Sequence, residues 1–247
     1  MIVRTTDFNA AGNAIARLYS RQWEDVARAL ESMPLHLKVS DQRGIQGTPI
    51  FDPVGTNEYI KKALTEADLR WRANLPIPNE YDFLGTDVDF CNEGMLLEVQ
   101  FSHYSFLLNN LLRSELFFKS KTLLAGYASG VVVIVTKAHM FPASNSTLYY
   151  EQAVNQLASL ATNRVFDVPI RIVGLFEQTG VPVPIKMTEY GSHIRVENQL
   201  SGISNAQDNS CNKVFWKLAR MNCLLFVVMF YVPEEPNISR VFSVRVT

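Results

Sequence analysis

The sequence predicts an α/β core followed by a β-rich C-terminal part, and three observations carry that expectation. Apolar residues recur at helical spacing in three stretches, near 13–33, 104–120 and 147–162. The run Gly130-Val-Val-Val-Ile-Val-Thr136, between the second and third of these, has the β-branched density of a strand buried on both faces. From Val181 onward the pattern changes, and Pro182, Pro184, Gly191 and Gly202 punctuate short alternating stretches.

Taken in order, Asn13 to Met33 carries Ile15, Leu18, Trp23, Val26, Ala27 and Leu30 on one helical stripe, with Pro34 as the stop. Asp41 to Gly55 is broken by Gly44, Gly47, Pro49 and Pro53 and reads as a loop or short edge strand before a helix from about Thr56 to Trp71. Asn74 to Pro78 is a stiff, extended lead-in. Tyr81 to Phe101, YDFLGTDVDFCNEGMLLEVQF, reads as two short strands joined by a tight turn at Asn92-Glu93-Gly94. A helix follows from about Tyr104 to Ser120, with Arg113, Glu115 and Lys119 expected on its polar side. The buried strand then leads to the loop KAHMFPASNS (137–146), a helix over 147–162 and a strand within 165–176, a β-α-β succession. The stretches 215–232 and 241–246 read as a β-rich addition after a polar linker at 205–210.

With 247 residues, 47% of them hydrophobic, the chain can bury one sizeable core with a smaller lobe attached. Its net charge of −1 leaves no global field for nucleic acid, so any DNA affinity has to come from local contacts. Cys91, Cys211 and Cys223 form no C-x-x-C pair, which argues for a reducing cytoplasm and against a zinc site. The longest apolar run, Cys223 to Val232, is half of the about 20 residues a membrane span needs, and no membrane role is expected.

The chemistry concentrates in the two-strand unit. In its second strand Met95, Leu97, Val99 and Phe101 share one face while Glu98 and Gln100 share the other. The turn brings Asp89 across from that face, so two carboxylates come within reach of one hard divalent cation. The plainer reading is a solvated sheet face beside a hairpin. Against it, a Glu and a Gln in the middle of a chain this long are costly to bury unless they are satisfied. Asn74, just upstream, either orients a water or simply ends the preceding helix.

At this point larger blocks become informative. MPLHLKVSDQ (33–42), IFDPVGTNEYIK (50–61), NLPIP with YDFLGTDVDF, LEVQFSHYSFLLNN with RSELFFKS (97–120), KAHMFPASNSTLYYEQA (137–153) and VFDVPIRIVGLFE (165–177) together resemble type II restriction endonucleases of the BglII kind, within the PD-(D/E)XK superfamily. The resemblance keeps order, spacing and loop composition up to about residue 190 and fades beyond. It implies a restriction-endonuclease-like core with a mixed central sheet flanked by helices, plus a β-sandwich subdomain. Residues 1–180 would form the catalytic and dimerisation core and 181–247 the β-rich subdomain, within a single compact unit. It further implies a homodimeric, Mg2+-dependent enzyme acting on double-stranded DNA, alongside a host methyltransferase of the same specificity.

On that resemblance the acid pair falls on Asp89 and Glu98, Gln100 takes the place usually held by lysine, the Val99 carbonyl completes the protein ligands of the ion, and Asn74 helps to hold the nucleophilic water. Ser102, His103, Asn145 and Ser146 match the base-reading positions of an enzyme that recognises AGATCT and cuts after the first A. His103 departs, since the family pattern has Asn there. Ser146 also fits a helix N-cap. Tyr190 and Arg195 fall where the family has a DNA-contacting loop, and Arg113 is a candidate clamp on the DNA backbone, against a solvated helical face as the alternative. A catalytically silent DNA-binding dimer and a repair-type nuclease of the same superfamily remain the other classes. Intact Asp89, Glu98 and Gln100 argue against the first, and Ser102 with Asn145 against the second.

Overall fold

The structure is a computed structural model, described here over residues 1–66, 70–144, 147–177, 180–188 and 190, and over the strand backbone of 225–226 and 241–246. Its elements are β1 (Ile2–Phe8), α1 (Ala11–Leu18), α2 (Ser20–Glu31), β2 (Leu35–Val39), β3 (Pro49–Phe51), α3 (Pro53–Thr65), β4 (Arg72–Pro76), β5 (Asp87–Asn92), β6 (Met95–Val99) and α4 (Phe106–Ser120). They continue with β7 (Leu123–Leu124), β8 (Tyr127–Ala128), β9 (Val131–Lys137), α5 (Tyr150–Thr162), β10 (Ile170–Phe176), β11 (Val183–Thr188), β12 (Leu225–Phe226) and β13 (Val241–Val246). A two-turn 3-10 helix, Asn79–Leu84, precedes β5.

The chain divides into two compact units, one of residues 1–33 and 56–177, the other of residues 34–55 and 178–247. The first unit is built on a six-stranded mixed sheet in the order β1-β10-β9-β6-β5-β4. β6, β9 and β10 run parallel, as the two crossovers through α4 and α5 require, while β1, β5 and β4 pair antiparallel at the flanks. All seven residues of β9 are buried, because it lies between two strands and under helices. Leu96, Val132, Ile134, Ile170 and Ile172 of the sheet join Leu107, Leu111 and Phe117 of α4 and Ala153 and Leu157 of α5 in one core. The second unit carries a five-stranded sheet in the order β12-β13-β11-β2-β3.

Several elements differ from the pattern-based reading. The single helix expected over 13–33 is two, because the backbone leaves the helical region at Tyr19 (φ −132°, ψ 23°). The Tyr19 ring lies against Gly94 of the β5–β6 turn and Gly130 ahead of β9, so that a Cβ at Gly94 would come within 3.3 Å of its hydroxyl. The amino-terminal IVRTTDF is an edge strand, held across its partner by Asp7, which accepts bonds of 2.7 and 2.8 Å from Arg171. The helix expected from Thr56 to Trp71 begins at Pro53 and ends at Thr65, and the lead-in at Asn74 is an antiparallel strand. On α4, Arg113 and Glu115 are buried rather than solvated. Glu115 accepts the Asp167 and Val168 backbone N–H groups at 2.9 and 2.8 Å, and so ties the helix to the lead-in to β10.

Candidate active site

The turn between β5 and β6 has Glu93 at φ 47° and Gly94 at φ 94°, the paired positive values of a two-residue I′ turn. Such a turn fixes register, here Asn92 opposite Met95 and Phe90 opposite Leu97. One position further along, Asp89 is abreast of Glu98. On the outer side β4 pairs Ala73 with Phe90 and Leu75 with Val88, so Asn74 is abreast of Asp89. Three residues singled out in the sequence therefore form one row across three strands.

The β5–β6 ladder stops at this row. Beyond the Phe90–Leu97 pair, the Val99 N–H donates to Asp89 Oδ2 at 2.7 Å instead of to a backbone carbonyl. A strand residue presents its N–H and C=O to the same side, so the Val99 carbonyl also faces the gap where the strands part. Glu98 is 2% exposed and accepts a 2.5 Å bond from Arg113 Nη2 on α4. Gly85, at φ 125°, leaves room for that guanidinium, since a Cβ there would come within 2.8 Å of Arg113 Nη1.

Electrostatically the row is under-compensated. Burial pushes the Glu98 carboxyl up to about 7, with Arg113 pulling it down and Asp89 adding to the rise. Burial likewise raises Asp89, opposed by its Val99 hydrogen bond and reinforced by Asp87. Two adjacent carboxylates that resist ionisation are groups that a bound cation would stabilise in their charged form. The donor set of two carboxylate side chains and one carbonyl is all oxygen, as a hard divalent ion requires. Among the described residues no group of three His, Cys, Asp or Glu side chains could hold a metal.

Gln100 is buried and bridges outward. Its Nε2 donates to Ser102 Oγ at 2.9 Å and to the His103 carbonyl at 3.2 Å, while Oε1 accepts from Asn110 Nδ2 at 3.4 Å. Its donors are thus committed to the segment after β6, and Oε1 is the end able to orient a water. Asn74, exposed and at φ 51°, donates to Asp87 Oδ2 at 3.1 Å. Asp87 also accepts from Thr86 Oγ1 at 2.7 Å, a bond that heads the causes holding its carboxyl below the usual range.

Asp87 is a residue the sequence reading passed over, although its place two residues before Asp89 puts both on one face. Ser102 and His103 are exposed, and the His103 ring stacks on Tyr104 at 4.5 Å. Arg113 faces Glu98. Tyr190 belongs to the second unit, where its hydroxyl donates to Asp52 Oδ1 and Oδ2 at 3.0 and 2.8 Å. Asn145, Ser146 and Arg195 lie outside the described residues.

Residues 3–175 match the family model of the restriction endonucleases BglII/BglIII. The chain is 52% identical over 190 residues to the type II restriction enzyme BglII of Bacillus subtilis, covering 77% of this chain and 83% of that protein. Its fold matches the crystal structure of restriction endonuclease BglII complexed with a DNA 16-mer, with a TM-score of 0.74 and 52% identity over 78% of this chain and 84% of that one. It also matches free BglII, with a TM-score of 0.62 and 49% identity over 78% of this chain and 89% of that one. No helix among the described residues is long and apolar enough to cross a membrane.

Proposed function

The chain belongs to the BglII/BglIII restriction endonuclease family and is a type II site-specific endonuclease, and on that premise we propose a Mg2+-dependent enzyme that cuts both DNA strands at a palindromic GATC-centred site. The proposed site is AGATCT, cut after the first A to leave 5′-GATC overhangs. The observation that carries this reading is the side-by-side placement of Asp89 and Glu98 where the ladder between β5 and β6 gives way to a side-chain contact.

Asp89, Glu98 and the Val99 carbonyl would hold the ion. When bound, a hard divalent cation lowers the pKa of a coordinated water and draws charge from the scissile phosphate. Gln100 is neutral, so it adds no cationic stabilisation; its Oε1 orients the attacking water, and Asn74 helps to hold it. Arg113 keeps the Glu98 carboxylate turned toward the site. Ser102 and His103 read base edges from the end of β6, together with Asn145 and Ser146; Tyr190 and Arg195 contact DNA from the second unit. As a short polar donor and acceptor, imidazole at His103 is suited to base edges, and the inner base pairs are where it acts.

A palindromic site calls for a two-fold dimer. α4 presents Leu108 and Leu112, one turn apart on the same face and 41% and 53% exposed, and this apolar pair supports α4 as part of the dimer interface. The substitution Leu112→Glu should shift the sedimenting species from twice the chain mass to one chain mass and lower double-strand cutting at least about tenfold. An unchanged dimer would remove α4 from the interface. The enzyme works in the cytoplasm beside a methyltransferase that protects the same site.

The test is digestion of plasmid DNA with purified protein and Mg2+, followed by sequencing of the ends. Discrete fragments with 5′-GATC ends are expected. Binding without cutting, or ends at nicks and junctions, would overturn the reading.

A further inference from the structure

Lys137 ends β9 with its side chain fully buried, although the sequence pattern places it at the start of an exposed loop. Its Nζ donates to the Phe101 carbonyl at 3.1 Å and to Thr147 Oγ1 at 2.6 Å. Thr147 Oγ1 in turn donates to the same Phe101 carbonyl at 2.7 Å, closing a triangle. The rings of Phe101 and Tyr149 lie 5.8 and 5.3 Å from the ammonium. Around this triangle the two segments are stitched by backbone contacts as well: His103 bridges Thr147, and the Leu148 N–H donates to the Ser102 carbonyl at 2.8 Å.

Burying an ammonium is costly, and burial here pushes its pKa down to about 8. A methylene chain of the same length would fill the space without that penalty. What the ammonium adds is a joint. Phe101 immediately precedes Ser102 and His103, and Thr147 immediately follows Asn145 and Ser146.

We propose that Lys137 is a specificity-determining positioning residue: it pins the segment carrying Ser102 and His103 to the segment that starts at Thr147, so that Ser102 and His103 are presented to the DNA on a rigid support. The proposal rests on the reading of Ser102 and His103 as base contacts. The hydrogen bonds described for Lys137 go to Phe101 and Thr147 rather than to the carboxylate row. Its loss therefore leaves Asp89, Glu98 and Val99 intact and loosens only the spacing of the readers, which a wrong base exploits.

The test uses the full-length protein and the cleavage site mapped by sequencing its plasmid ends. Wild type, K137M and T147V are compared for melting temperature and for kcat and KM on that site and on sites with one inner base pair changed. K137M should melt close to wild type, and its preference for the mapped site over the altered ones should narrow by about tenfold or more, chiefly through loss of kcat/KM on the mapped site. A folded K137M that keeps the wild-type preference overturns the proposal, as does a loss that falls equally on all sites. If K137M does not fold, T147V, which removes the hydroxyl that receives Lys137, decides by the same ratio. A wild-type enzyme that cuts with no site preference defeats the base-contact reading, and the role of Lys137 falls with it. Wild type with a preference that survives both substitutions defeats the role of Lys137 alone.

Discussion

Replacing Asp89 with asparagine should slow DNA cleavage by at least about a thousandfold, with the fold and DNA binding intact. Asparagine keeps an oxygen where Asp89 Oδ2 accepts the Val99 N–H, so the parted strands retain their contact. What disappears is one negative charge, on a partly buried group that has buried Glu98 beside it and Asp87 nearby. Single-turnover rates at saturating Mg2+ measure the loss. Gel-shift affinity without divalent ion should rise slightly, because one charge repelling the phosphates is gone. A D89N enzyme cutting within tenfold of wild type would remove Asp89 from the cation site.

The second large effect is expected at Arg113. Glu98 and Arg113 are 2% and 5% exposed and joined by a short charge-assisted bond, and removing one partner strands the other charge in a low-dielectric interior. Arg113→Leu should lower the unfolding free energy by about 3 kcal/mol in a urea titration. Cleavage should fall about ten- to a hundredfold as well, since the carboxylate loses the group that orients it. The pair E98Q/R113L, with no stranded charge, should recover most of the stability and none of the cleavage. If R113L alone were as stable as wild type, the guanidinium would not be Glu98's essential partner, and its place as a DNA backbone clamp would be the better reading.

The two-strand unit was legible because two independent local signals agree over 87–99. Alternation sets the faces, Asn92-Glu93-Gly94 sets a two-residue turn, and the turn sets the register that puts Asp89 abreast of Glu98. The buried β9 and the β-α-β succession through α5 were legible for the same reason. Arg113, Glu115 and Lys137 were not. A helical or strand pattern assigns a polar residue to the solvent side by default, whereas each of these is held inward by a group distant in sequence: Glu98, the backbone at 167–168, and the Phe101 carbonyl. Asn74 sits in a strand at φ 51°, a conformation that its residue type permits but no neighbour announces. The parallel pairing of β2 with β11 joins stretches about 150 residues apart in sequence, beyond any local pattern.

α4 has two consecutive residues with opposite duties: Leu112 points out and Arg113 points in to Glu98. A hydrogen-bonded helix moves as a rod, so whatever docks on the outer leucines and tilts it carries the guanidinium along by a similar amount. In the proposed dimer, subunit association and carboxylate alignment are then mechanically geared, and dilution to single chains would disarm each one rather than release a working half-enzyme.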